Sequence, residues 1–291
     1  MTTDPRWIDE HGDPIDEDHR GLVYDIRTLV DRRRALGIFG GVGLTALLAA
    51  CSADPEPTAT ASPSASASAS VTPTPSATAA ASGPLAEVPD ETGGPYPGDG
   101  SNGVNVLDDS GIVRSDIRSS FGSSTTVAQG VPLTIALTVR DAATGSALVG
   151  AGVYLWHCDR EGGYSLYSNG LENENYLRGV QATDANGTVT FTSIYPACYT
   201  GRWPHIHFEV YSDVATAVAS GPIVKTSQIA LPQETDAAVY ATAGYEQSVR
   251  NLSQVSLSTD NVFRDDGGIH QIANMSGSAS AGYTAALTIG V

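Results

Sequence analysis

Hydrophobic and polar positions alternate over short runs in the second half of the chain. In VPLTIALTVR, Leu133, Ile135, Leu137 and Val139 alternate with small or polar residues. Successive strand side chains point to opposite faces, so this run predicts a strand with one buried face. Turn-forming residues follow from Asp141 to Gly145, and a second run spans Ala151 to His157. DANGTVTFTSI opens on an Asn-Gly turn signal and then alternates Val189 with Phe191. The C-terminal YTAALTIGV alternates Leu287, Ile289 and Val291. No long stretch of helical period follows residue 84, although DAAVYATAGYEQSVRNL has room for a helical turn or two. Short alternating runs between Gly, Asn and Asp turns predict an all-β, antiparallel sandwich over residues 85–291.

The first 84 residues break the pattern. Arg32, Arg33 and Arg34 precede an uncharged run of 16 residues, Ala35 to Ala50. A membrane span needs about 20 apolar residues, so the run better suits a signal-peptide core. The paired arginines with Leu36 resemble a twin-arginine export signal. Leu48-Ala49-Ala50-Cys51 resembles a bacterial lipoprotein box, in which Cys51 takes the lipid. Residues 1–51 are thus expected to send the chain to the outer face of the bacterial cytoplasmic membrane, with the lipid as its only membrane contact. A retained anchor with a cytoplasmic tail is the alternative. Residues 52–84 are rich in Ser, Ala, Thr and Pro, with Val71 the one large aliphatic residue. Such a segment cannot bury a core and is expected to be a disordered tether.

Charge narrows the partners. The chain has 15 basic and 32 acidic residues, a formal charge of −17, and Lys225 is its only lysine. That balance repels nucleic acid and anionic lipid. Of the three cysteines, Cys51 is assigned to the lipid. Cys158 and Cys198 then read as a disulfide in an oxidising compartment, or else as two small buried residues.

The candidate chemistry lies in CYTGRWPHIHFEVY, residues 198–211. On a strand, His205, His207 and Glu209 share one face while Ile206, Phe208 and Val210 share the other. Two imidazoles at i and i+2 can bind one metal ion. A cupin site would place a glutamate four or five residues beyond the second histidine. Glu209 is only two beyond, so that reading is set aside. Tyr199 and Arg202 lie just upstream, across a turn with Gly201 and Pro204, and Tyr164 follows a Gly-Gly pair in another loop.

The order of these motifs resembles the intradiol ring-cleavage dioxygenases, the family of catechol and protocatechuate dioxygenases. The motifs are Trp156, then Gly162-Gly163-Tyr164; Arg178-Gly179; Thr183-Asp184 with Gly187; Pro196-Ala197-Cys198-Tyr199; and Arg202-Trp203-Pro204-His205-Ile206-His207-Phe208. GGPYPGDG at 93–100 is similar to the family's Gly-Pro-Tyr segment. The resemblance spans about residues 90–230 and implies a β-sandwich of the intradiol type. It implies non-haem Fe(III) held by Tyr164, Tyr199, His205 and His207. It further implies a small aromatic diol and O2 as substrates, with the ring cleaved between its two hydroxylated carbons to a cis,cis-muconate-type product. Tyr199 would act as a base, Arg202 would steady negative charge, and Gln228 would match a glutamine near the oxygen pocket. Tyr96 and Trp203 are the candidate substrate contacts. A Cys158–Cys198 bridge would brace the two tyrosine-bearing loops. His157 is expected to pack rather than ligate. The alternative is a non-catalytic extracytoplasmic binding module on the same scaffold; a metal-stabilised structural domain is a third reading. The substrate and the oligomeric state stay open.

Overall fold

A computed structural model describes residues 83–291. The signal at 1–51, its lipidation residue Cys51, and the tether up to residue 82 lie outside the described residues.

Two four-stranded sheets face each other. The first has the order β4-β1-β8-β7. Its strands are β1 (Pro132–Arg140), β4 (Thr188–Ile194), β7 (Asn274–Ser278) and β8 (Gly282–Gly290). The second has the order β3-β2-β5-β6, from β2 (Gly152–Trp156), β3 (Arg178–Ala182), β5 (His205–Tyr211) and β6 (Ile223–Ala230). The described residues also form three short helices, α1 (Val214–Val218) between β5 and β6, and α2 (Gln233–Tyr240) and α3 (Glu246–Leu252) between β6 and β7. The last two fall where the sequence has room for helical turns.

The alternating positions form the core. Leu133, Ile135, Leu137 and Val139 of β1 pack with Val189 and Phe191 of β4 and Ile289 of β8. Val153 and Leu155 of β2 and Ile206, Phe208 and Val210 of β5 meet them from the other sheet. This apolar layer is the main favourable term of the fold. One pairing departs from the antiparallel expectation: β1 and β8 run parallel, from Leu133↔Tyr283 to Arg140↔Gly290. A parallel pair needs a long crossover, and here the whole second sheet supplies it.

The second sheet is buried on both faces, and every residue of β5 is withdrawn from solvent. Its outer face is covered by loop residues rather than by water. Val106, Leu107, Ile112 and Tyr164 close over Tyr154 and Trp156 of β2. That covered face carries the chemistry. At the start of the described chain, Lys225 is buried and donates to Glu87 Oε1 at 2.6 Å, with Asp90 Oδ2 at 3.1 Å.

Candidate functional site

Two loops and one strand bring the candidate residues together. The first loop follows β2. Asp159 Oδ1 accepts the backbone N–H groups of Glu161 (3.0 Å) and Gly163 (2.8 Å), folding the chain into a tight turn. Gly162 takes φ 96°, which favours glycine. A Cβ added there would lie 3.2 Å from Cβ of Tyr199, so the glycine lets the two tyrosine loops approach. Tyr164 is then fixed as its N–H donates to Ser168 Oγ at 2.9 Å.

Arg178 of β3 ties this loop to the N-terminal segment. Its guanidinium is buried and donates to Ser165 Oγ and O, to Tyr96 O, to Pro97 O and to Tyr154 OH, at 2.9–3.0 Å. Tyr96 is thereby laid against Tyr164, with ring centroids 4.9 Å apart.

The second loop is held from α3. Ser248 Oγ accepts the N–H of Cys198 at 3.0 Å, and Asn251 Nδ2 donates to Cys198 O at 2.8 Å. Ala197 N–H donates to Asp159 O at 3.1 Å, joining the two loops directly.

On β5, His205 and His207 share the covered face as the alternation predicts. Register places Trp156, His207 and Gln228 in one row across β2, β5 and β6. Trp156 stacks on His207 at 4.8 Å with planes 5° apart. His205 Nδ1 meets Trp203 O at 2.6 Å, a carbonyl that only a ring N–H can satisfy. Nε2 of His205 therefore carries the lone pair. Burial holds both imidazoles well below the usual histidine range, and neighbouring charges on Arg202 add to this, so they are neutral.

Four donor atoms converge. Nε2 of His205 lies 3.1 Å from Nε2 of His207 and 3.3 Å from the Tyr199 hydroxyl. The Tyr164 and Tyr199 rings meet edge-on at 5.9 Å, and Tyr164 meets His207 at 6.3 Å. The Tyr164 hydroxyl is buried without a hydrogen-bond partner among the described residues. Burial, with Tyr199 beside it, pushes that phenol well above its ordinary value. An orphaned buried hydroxyl is costly, and a cation at the convergence point would use it. Neutral imidazoles and phenol oxygens suit iron, so the residues present fit the ion that the family resemblance implies. Among the described residues, no cluster of three or more His, Cys, Asp or Glu side chains could hold a metal. The set is recognisable only when tyrosine counts as a ligand.

A cavity of about 460 Å³ opens from Tyr164 and Tyr199 towards the surface, and Tyr96 lines it as expected. Tyr199 is half-buried, whereas Tyr164 is 2 % exposed. Arg202 is buried and donates through Nε to Asp260 Oδ2 (3.0 Å) and through Nη2 to Gln228 Oε1 (2.7 Å). Gln228 Nε2 donates to Thr92 O at 2.9 Å, so Gln228 belongs to the site's surroundings and is not a surface residue.

Three sequence expectations have definite outcomes. Trp203 does not line the cavity: its indole N–H donates to Leu231 O at 2.8 Å and its ring packs with Val262 and Phe263. The aromatic ring beside the arginine is a packing residue. Cys158 and Cys198 are buried free thiols, not a disulfide. Their sulfurs address different carbonyls, Ala197 O at 3.7 Å and Arg202 O at 3.4 Å. The loop bracing expected of that bridge comes instead from Asp159, Ser248 and Asn251. His157 packs, as expected, between Cys158 O and Ser193 Oγ, both at 2.7 Å. Asp260, Ser248 and Asn251 carry no signal in the sequence, because none of them lies in a local motif.

A family model and several solved structures are similar to this chain. A family model described as Dioxygenase matches residues 121–220, a span that contains Tyr164, Tyr199, Arg202, His205 and His207. An intradiol ring-cleavage dioxygenase from Tetranychus urticae is 27% identical with a TM-score of 0.52, covering 62% of this chain and 87% of its own. The dioxygenase domain of a carbohydrate-binding fusion from Streptomyces sp. SirexAA-E is 22% identical with a TM-score of 0.45, over 71% of this chain and 98% of its own. Hydroxyquinol 1,2-dioxygenase from Pseudomonas putida DLL-E4 is 15% identical with a TM-score of 0.43, over 70% and 66%. No curated protein matches the sequence. The fold is a β-sandwich of the intradiol dioxygenase type. Both the family match and the structural neighbours are those of intradiol ring-cleavage dioxygenases.

Proposed function

We propose that this chain is a non-haem ferric dioxygenase that cleaves a catechol between its two hydroxylated carbons. Catechol and O2 combine to a cis,cis-muconate-type diacid, both oxygen atoms being incorporated. The observation that carries this reading is the meeting of two phenols, both of which line a cavity, with two buried imidazoles behind them. A binding module has no use for that set.

Tyr164, Tyr199, His205 and His207 would hold Fe(III). When bound, the ion supplies Lewis acidity that favours the catechol dianion and opens it to attack by O2. The protein groups divide the remaining work. Tyr199 is half-buried beside the cavity; with the ion bound it would be a phenolate, and that oxygen would take a proton from a catechol hydroxyl and become the neutral phenol. Tyr164 is locked by its loop and stays in place. Arg202 offers a fixed positive charge near the two imidazoles. Because Asp260 and Gln228 already orient it, it needs no reorganisation when negative charge collects on the substrate. Tyr96 and the loop residues over Trp156 keep water from the floor of the site.

The test is the visible spectrum of residues 83–291 with iron content measured, before and after catechol without oxygen. A tyrosinate-to-iron band that shifts with catechol supports the reading. A protein that stays colourless after ferric reconstitution removes it and leaves the binding module. Placement outside the cytoplasmic membrane, through Cys51, is part of the same proposal. Lipid labelling that persists in Cys51→Ser would sink that part alone.

A further inference from the structure

The wall of the cavity away from the phenols is acidic. Of the side chains that line it, the charged ones are Asp159 and Glu161, and none is lysine, arginine or histidine. Glu161 is paired with Arg160 at 2.7 Å on the exposed rim, so solvent screens much of that charge. Asp159 is different. It is 6 % exposed, and no cation among the described residues is paired with it. Its partners are two backbone N–H groups and the Tyr176 hydroxyl, which donates to Oδ2 at 3.0 Å. Burial pushes its pKa above the usual aspartate value, while those three donors favour the ionised form. Arg202 is already paired with Asp260, and Arg178 points its guanidinium at Ser165, Tyr96, Pro97 and Tyr154 rather than into the cavity.

Size adds a second constraint. A cavity of 460 Å³ is within the range of about 300–1,000 Å³ that takes drug-sized ligands, which leaves room beyond a single ring. The part of a substrate that extends past Tyr164 and Tyr199 meets Asp159, Tyr176, Ser168 and Asn169, which are hydrogen-bonding groups with no positive charge.

Resting on the dioxygenase reading, we infer that this site selects uncharged catechols with hydroxyl or other neutral substituents and rejects carboxylated ones, with Asp159 as the specificity-determining residue. A ring carboxylate would be brought against Asp159 in a partly desolvated space, where like charges repel far more strongly than in water. A neutral hydroxyl finds acceptors and donors there.

Equilibrium binding to the iron-loaded chain, without oxygen, tests this by tryptophan fluorescence at neutral pH. The probes are 4-methylcatechol and protocatechuate, which differ chiefly in that charge. Protocatechuate should bind about tenfold more weakly or worse. The gap should narrow at least about threefold in Asp159→Asn, which keeps the shape and removes the charge. A smaller narrowing is expected in the rim variant Glu161→Gln, which decides the matter together with the wild-type ratio if Asp159→Asn fails to fold. Equal binding of the two probes to the wild type overturns the inference while the dioxygenase reading stands. So does a ratio unchanged in both variants. Binding of neither probe overturns both.

Discussion

Arg202 and Asp260, 58 positions apart, form an ion pair of 3.0 Å with side chains 1 % and 0 % exposed. Asp260 does more than balance the charge. Its Oδ2 also accepts the N–H of Trp203 at 2.7 Å, and its Oδ1 accepts those of Val262 (2.8 Å) and Phe263 (3.1 Å). The aspartate therefore nails the entry to β5 to the segment after α3. Removing one partner of a buried pair leaves the other uncompensated.

Asp260→Ala is accordingly expected to cost about 3–5 kcal/mol of stability. Urea unfolding at neutral pH checks it. Asp260→Asn keeps one acceptor oxygen, enough for the Val262 and Phe263 contacts but not for those that Oδ2 makes to Arg202 and Trp203, and its loss should be somewhat smaller than that of the alanine variant. A loss under about 1 kcal/mol for the alanine variant would mean that Arg202 finds another counter-charge.

The Tyr164 hydroxyl gives a test of opposite sign. It is buried without a hydrogen-bond partner among the described residues, so in the iron-free protein it is a cost. Tyr164→Phe should leave iron-free stability unchanged or raise it by about 1 kcal/mol. The same variant should lose iron retention and the visible band. Tyr199→Phe, whose hydroxyl contacts His205, should not stabilise the iron-free protein. Thermal melts of both variants with and without ferric iron separate the cases. A clear destabilisation of iron-free Tyr164→Phe would show that the hydroxyl has a structural partner.

Much of this site is legible in the sequence because strand periodicity is local. Leu133 to Val139 show their buried face by alternation alone, and the same rule puts His205 and His207 on one side of β5. Gly162 marks a turn for a reason that can be stated without coordinates. What is not legible is set by contacts between distant segments. Nothing near Asp260 says that it faces Arg202, and nothing near Ser248 or Asn251 says that they hold the Tyr199 loop. The parallel β1–β8 pair is equally hidden, because an alternating strand reads the same in either direction. The cysteine pair fails for a related reason. Parity and compartment argue for a bond, but they do not say where each sulfur points.

That last point yields a chemical prediction. Burial pushes both thiols well above the ordinary cysteine range, Cys158 further affected by Asp159 and Cys198 by Asp236. A protonated, buried thiol reacts slowly. Residues 83–291 should therefore show no reaction with a thiol reagent when folded and two reactive groups in denaturant without reductant. Intact mass after alkylation counts them. Zero groups in the denatured, unreduced protein would restore the disulfide.

The final prediction concerns acid. His157 is buried between a carbonyl and the Ser193 hydroxyl, and burial lowers its pKa from 6.5 to about 4. The folded chain thus resists protonating a group that the unfolded chain protonates readily. Between those two values the unfolded state binds more protons, so stability falls as the pH falls. The contribution is fully present above about pH 6.5, fades through the window, and is gone below about pH 4, a loss of roughly 3 kcal/mol from this one residue. His157→Gln cannot gain that proton. It should be less stable than the wild type at pH 7.5, since the fit to Cys158 O and Ser193 is imperfect. Its stability should also decline less steeply from pH 6.5 to 4.5. Denaturant midpoints for both proteins across that range give the slopes. Parallel slopes would show that His157 takes up its proton in the folded chain as easily as in the unfolded one, and that the acid sensitivity of the fold lies elsewhere.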